Sequence, residues 1–250
     1  MKHKITTSVF LLLTSLLVWF GYGTSYFYLL LFFIITIYIA IVVYGSYQIR
    51  ANYFLNAINS GNGPGIALTF DDGPDKNITL KIIEILSLAD VPATFFVIGK
   101  KAAKHPSIIK EMSYRKYSIQ NHSYSHSNGI GLFSKQKLGS DIDECSKTIT
   151  QLAGTPPSYF RPPFGVTNPR YAPVLKKLGL APVGWSIRSF DTTIRNEKKL
   201  YNRITANLKP GSIVLLHDTK EITLSILPKL INFCKNSNLP IVPLNELIQK

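Results

Sequence analysis

Two adjacent carboxylates, Asp71 and Asp72, sit in the run TFDDGP at 69–74. Four other short pieces carry side chains able to work with them: NHSYSH at 121–126, RPPFG at 161–165, a lone acid at Asp191, and LLHD at 215–218. Neighbouring carboxylates repel, and they coexist ionised most readily when one of them binds a cation. His122 and His126 are four residues apart, a spacing that on a helical turn puts both imidazoles on one face, as metal ligands require. With Asp72 they make a set of two histidines and one carboxylate, which leaves coordination positions open for water and substrate. Arg161 can form a bidentate pair with a carboxylate and hold it ionised. His217 follows the apolar run 213–216. An acidic neighbour such as Asp191 would raise its pKa and make it a proton donor near neutrality.

Each piece also has an ordinary reading. Asp-Gly-Pro is a common turn with solvated acids, histidine pairs at this spacing are often incidental, Arg161 fits a structural ion pair, and His217 fits a satisfied core residue. What favours chemistry is the shared setting, because each piece falls where a predicted strand runs out. Strand C-termini are where α/β barrels carry their active sites.

The elements that must position these residues follow from the apolar pattern. Strands are predicted over 66–70, 93–98, 117–120, 159–161, 182–187, 213–216 and 241–242. Helices are predicted over 78–89, capped by Asn77, and over 106–112, 134–152, 168–178, 197–208, 221–236 and 244–249. Alternating strands and helices imply parallel βαβ units. The count suits an α/β fold of the distorted, incomplete (β/α)7–8 barrel kind better than a full eightfold barrel. Adjacent strand residues point to opposite faces, so the turn at Gly73-Pro74 must let both Asp71 and Asp72 reach one site.

The first fifty residues differ in kind, with no charged side chain between Ile5 and Ile49. So long an apolar run reads as membrane. The uncharged GYGTS sequence near Gly21 divides it into helices at about 5–20 and 26–44, a transmembrane hairpin. A cleavable signal peptide is the competing reading of the first segment. The expected organisation is therefore a membrane segment at 1–49, a linker at 50–63 rich in Gly, Asn and Ser, and a catalytic domain at 64–250. Lys2, Lys4 and Arg50 flank the hairpin, and by the positive-inside rule they place both ends in the cytoplasm.

The chain carries 28 Lys and Arg against 14 Asp and Glu. This balance suits a negatively charged membrane surface or an anionic substrate. No known nucleic-acid-binding motif accompanies the charge, so nucleic acid is not an expected partner. Cys145 and Cys234, outside any metal-binding spacing, are expected to be buried small hydrophobes.

Taken together, the motifs resemble those of the NodB-type polysaccharide deacetylases, carbohydrate esterase family 4, over about residues 64–250. The resemblance implies a distorted (β/α) barrel and removal of acyl groups from sugars, mostly N-acetyl from N-acetylglucosamine. It implies Asp71 as catalytic base, and Asp72, His122 and His126 as ligands of a divalent metal, usually Zn2+. It implies Arg161 as tether of the base, Asp191 as the acid that tunes His217, and His217 as proton donor. Phe164 stands where the family usually has Tyr, and its backbone N–H would serve an oxyanion hole. Leu215 matches a groove-lining position. The chain departs from the family at Thr192, where Trp is common, and at Arg188, a position often acidic.

The implied partner is an acetylated amino-sugar glycan of the cell envelope, such as peptidoglycan or a chitin-like polymer, acted on by a membrane-embedded enzyme. Two alternatives stand beside it: a deacetylase or deformylase of a lipid-linked sugar, and an inactive glycan-binding homologue. The apolar run makes the chain an integral membrane protein; the side of its catalytic domain stays open, the flanking charges voting for the cytoplasm and the resemblance for outside it.

Overall fold

The computed structural model describes residues 2–249. Met1 and Lys250, the outer ends of the expected membrane and catalytic segments, lie outside the described residues.

Two long helices lead the chain, α1 (Lys2–Gly21) and α2 (Phe27–Tyr47). Both are long and apolar enough to cross a membrane; α1 runs beyond its predicted limits at both ends, and α2 beyond its predicted C-terminal end. They pack on each other as a hairpin: Phe10 stacks on Tyr38 with ring centres 4.2 Å apart, and Thr7 Oγ1 lies 3.1 Å from the Tyr38 hydroxyl. Only 6% of the most apolar window of either helix is buried, so neither is the core helix of a soluble fold.

Beyond them, seven parallel strands form one sheet: β1 (Ala67–Asp71), β2 (Thr94–Val97), β3 (Ser118–Asn121), β4 (Tyr159–Phe160), β5 (Ala181–Pro182), β6 (Ile187–Arg188) and β7 (Ile213–His217). Their order is β5-β4-β3-β2-β1-β7-β6. Laid flat at ~4.8 Å per spacing, the edge strands β5 and β6 would stand roughly 29 Å apart. The short link from Pro182 to Ile187 reaches at most about 18 Å. The sheet must therefore curl, which produces the incomplete barrel.

Strand alternation sorts the side chains. Leu68, Phe70, Phe95, Val97, Val214 and Leu216 face outward into a core shared with α3 (Thr79–Leu88), α5 (Pro106–Tyr114) and α9 (Glu221–Asn236). Ala67, Phe96, Ile213 and Leu215 face the barrel interior with Trp185. On this inner face Thr69 and Asp71 continue β1, and His217 continues β7.

Four expectations need correction. The predicted strand 182–187 is two short strands, because Val183–Ser186 cross from one sheet edge to the other. Residues 241–242 give only an isolated bridge, from Ile66 to Ile241. The helix after β1 starts at Thr79 with no side-chain cap from Asn77, and the turn before it is held by Asp75, whose Oδ1 accepts from the N–H groups of Asn77 and Ile78. The expected connector is packed: Tyr53, Phe54, Leu55 and Ala57 are buried, Ile58 bridges Val183, and Ser60 bridges Ser212. It ties the β5 edge to the residue that enters β7.

The foot of the hairpin is also tied down. Ser46 and Thr167 exchange hydrogen bonds of 2.7 and 2.9 Å, and Arg50 Nη1 donates to the Ser186 carbonyl at 3.2 Å.

Candidate active site

β1 delivers Asp71 and Asp72 together because the backbone changes hand between them. Asp72 has φ 72°, and this left-handed residue turns its side chain to the face that Asp71 already occupies. Asp72 Oδ1 then lies 3.5 Å from His122 Nε2 and 3.1 Å from His126 Nε2.

The two histidines reach it without a helix. Residues 122–126 form a loop after β3, with Ser123 at φ 65° and His126 at φ 46°. The expected helical turn is thus replaced by a pinned loop. Asn121 Oδ1 accepts from the Ser123 N–H, and Ser123 Oγ accepts from the His126 N–H. Asp141, on α6 (Lys135–Ala153), accepts from the N–H groups of Tyr124 and Ser125. These supports were not legible in the motif, since each is an ordinary polar residue whose partner is fixed only by the fold.

His122 is buried, and its Nδ1 sits 2.8 Å from the Arg161 carbonyl. A carbonyl can only accept, so Nδ1 carries the proton and Nε2 presents its lone pair to the site. The donor atoms of Asp72, His122 and His126 all lie within 4.8 Å of one another. Tetrahedral bonds of ~2.0–2.1 Å separate ligand atoms by about 3.3 Å, close to the two Asp72–histidine distances. The donor set fits a small divalent cation. Burial pushes the Asp72 carboxyl up, but the His122 and His126 imidazoles beside it outweigh that and hold the group well below the usual carboxylate range.

Arg161 is fully buried inside the barrel with its guanidinium 4.1 Å over the Phe96 ring. Nη1 donates to Asp71 Oδ1 at 2.7 Å and Thr69 Oγ1 at 2.8 Å, while Nη2 donates to the Gly184 carbonyl at 2.8 Å. The pair with Asp71 uses one oxygen, not the expected fork. The other, Oδ2, turns toward the metal set, 3.9 Å from His122 Nε2.

His217 pairs in register with Asp71 across β1 and β7. Its Nδ1 lies 2.7 Å from Asp191 Oδ1, and Nε2 points into the site, 3.9 Å from Asp72 Oδ2. Asp191 is buried and also accepts from the His217 N–H and from Thr223 Oγ1. Burial alone would lower the His217 pKa, but the Asp191 bond and charge, with Asp71 and Asp72, raise it above the ordinary value. Burial pushes Asp191 up, and its bonds from His217 and Thr223 bring it below the usual range.

The remaining two predicted residues occupy different depths. Phe164 has φ 61°, is 46% exposed, and sets its ring edge-on to His126 at 4.6 Å, so it forms part of the rim. Leu215 lies two residues below His217 on the same face and is buried, under the floor of the site. Asp218 had no assigned role. It is fully buried, accepts from Thr79 Oγ1 at 2.7 Å, and packs so closely on Gly73 that a Cβ there would strike its carboxylate. Burial pushes its carboxyl up to about 7. The signal available was an acid placed directly after a buried apolar strand.

Known proteins resemble this chain in sequence and fold. The family profile described as Polysaccharide deacetylase matches residues 58–183. A peptidoglycan-N-acetylglucosamine deacetylase of Bacillus cereus is 34% identical over 158 residues, 63% of this chain and 57% of that protein. The match thus spans little more than half of that relative. A chitooligosaccharide deacetylase of Azorhizobium caulinodans is 35% identical over 63% of this chain and 75% of its own length. The crystal structure of a peptidoglycan N-acetylglucosamine deacetylase superposes with TM-score 0.73 and 31% identity, over 77% of this chain and 92% of that one.

Proposed function

The chain belongs to the polysaccharide deacetylase family, and from that premise we propose that it hydrolyses N-acetyl groups on amino sugars of a cell-envelope glycan. The observation that carries this reading is the meeting of Asp71, held by Arg161, with the Asp72–His122–His126 set and with His217 on the facing strand end. An inactive glycan-binding protein has no use for all of these.

A divalent cation in the three-donor set, with zinc the metal suited to its ligands, would supply Lewis acidity toward the acetyl oxygen and lower the pKa of water toward ~7. Asp71 accepts a proton from the attacking water through Oδ2, while Arg161 fixes Oδ1. The Phe164 N–H donates to the acetyl oxygen as negative charge develops there. His217 gives its Nε2 proton to the departing nitrogen, and Asp191 holds Nδ1 so that Nε2 faces the bond being broken. Water adds to the acyl carbon, the C–N bond breaks, and acetate and a free amino sugar leave.

The same reading sets a pH dependence. His217 acts as an acid, so activity falls as pH rises through its raised pKa. Asp191→Asn removes the largest raising influence, and the alkaline limb of the kcat/KM profile is expected to move to lower pH. An unmoved limb in an active variant would take the proton-donor role away from His217.

A second substrate reading rests on the hairpin, whose foot is hydrogen-bonded to Thr167 and Ser186 beside the barrel. It favours a lipid-linked amino sugar. Full-length protein in detergent, offered N-acetylglucosamine oligomers, peptidoglycan and a polyprenyl-linked N-acetyl sugar, separates the two by which one yields free amines. Turnover of none of them would overturn both.

We place the protein in the cell membrane with its barrel outside the cytoplasm, where envelope glycans lie. Leu132 is 87% exposed, and the native Cys145 and Cys234 are free and buried. A membrane-impermeant maleimide is therefore expected to label Leu132→Cys in intact cells. Labelling only after lysis would put the barrel inside, as the flanking charges Lys2, Lys4 and Arg50 vote.

A further inference from the structure

A cleft of about 290 Å³ opens beside the edge strand β6, between the foot of α2 and α8 (Glu197–Thr205). Arg50, Arg188 and Arg203 line it with Tyr47, Trp185 and Phe190. The Phe190 ring carries two guanidinium groups, with Arg188 Cζ at 4.9 Å and Arg203 Cζ at 4.4 Å from its centre. Arg188 also lies 5.7 Å from the Trp185 ring. Arg50 and Arg203 each spend one N–H on a backbone carbonyl, those of Ser186 and Arg188, both at 3.2 Å. Among the described residues, none of the three arginines forms an ion pair with a carboxylate.

Three like charges in one cleft repel, and aromatic faces offset only part of that cost. Their remaining N–H donors form forks that match phosphate oxygens. The location narrows the ligand. The chain is uncharged from Ile5 through Ile49, and Arg50 is the first charge beyond the α2 helix. For a spanning helix that point lies at headgroup depth, where Tyr and Trp also concentrate. We infer that this cleft binds a phosphate group at the membrane surface, carried by a lipid as a phosphate ester. The site borders the candidate active site in sequence: Phe190, at φ 63°, turns its ring to the arginines, and the next residue, Asp191, holds His217. The inference stands apart from the deacetylase reading, since its readout is binding.

The chain has two tryptophans, Trp19 and Trp185, so Trp19→Phe leaves one reporter, in the cleft. Full-length protein in neutral detergent is titrated with dihexanoyl phosphatidic acid, dihexanoyl phosphatidylcholine and inorganic phosphate. Phosphatidic acid is expected to change Trp185 emission saturably, and Arg188→Gln with Arg203→Gln to weaken it roughly tenfold or more. Arg188→Lys with Arg203→Lys keeps the charge and should fall between, which guards against misfolding as the cause of the loss. Inorganic phosphate matching the lipid would keep the anion site but assign it to free phosphate, overturning the lipid assignment. No saturable change with either anion, or equal binding by the glutamine variant, would overturn the site itself.

Discussion

Asp71→Asn is expected to lower kcat about 10²–10⁴-fold while leaving metal content close to wild type. The amide has the shape of the carboxylate and can still accept from Arg161 Nη1 through its oxygen, so the buried contact persists. What it cannot do is take a proton from water. The proximity of Asp71 Oδ2 to His122 Nε2, 3.9 Å, makes metal content the necessary second readout. Loss of metal together with activity would move Asp71 into the ligand set. Activity above about a tenth of wild type would place the base elsewhere.

The largest effect on stability is expected at Arg161. Arg161→Leu removes a fully buried cation and leaves Asp71, Thr69 and the Gly184 carbonyl without their donor. Breaking a buried pair from one side costs about 3–5 kcal/mol, because the remaining charge stays desolvated. Lysine is a poor substitute, since a single ammonium cannot reach the directions that Nη1 and Nη2 now serve. Adding Asp71→Asn to Arg161→Leu should recover part of the loss, because the uncompensated charge is then gone. Thermal melting of the four proteins in detergent checks this. Additive losses, or a single variant that melts like wild type, would mean that the pair is not what holds the barrel interior.

How much of this was legible in the sequence depends on the distance over which each feature is decided. Asp71, His217 and Arg161 close apolar runs, and a strand end is local information, so their convergence could be read. The seven-strand count was also reached, but partly for the wrong reasons. The run 182–187 is apolar enough for one strand, yet its middle crosses between sheet edges, a fact set by barrel closure. The histidine spacing suggested a helical turn, whereas positive φ at Ser123 and His126 does the positioning, supported by Asn121 and Asp141 from other elements. The short helix α4 (Gly99–Lys104) was missed because its few residues, three of them Lys, carry no periodic apolar face. The segment after α2 reads as a breaker cluster from Asn, Gly and Ser. Its buried Tyr53, Phe54 and Leu55 show that the apolar residues within it decide its fate.

The central claim is that a metal-dependent deacetylase centre assembles at the strand ends around Asp72, His122 and His126. The most direct measurement strips the full-length protein with a chelator and then follows acetate release from N-acetylglucosamine oligomers during titration with zinc. Release should vanish on stripping and return as the three-donor set fills, and His126→Ala should demand far more zinc for the same rate. Acetate release undiminished in metal-free protein, or absent from folded protein with zinc bound and each substrate class supplied, would contradict the account.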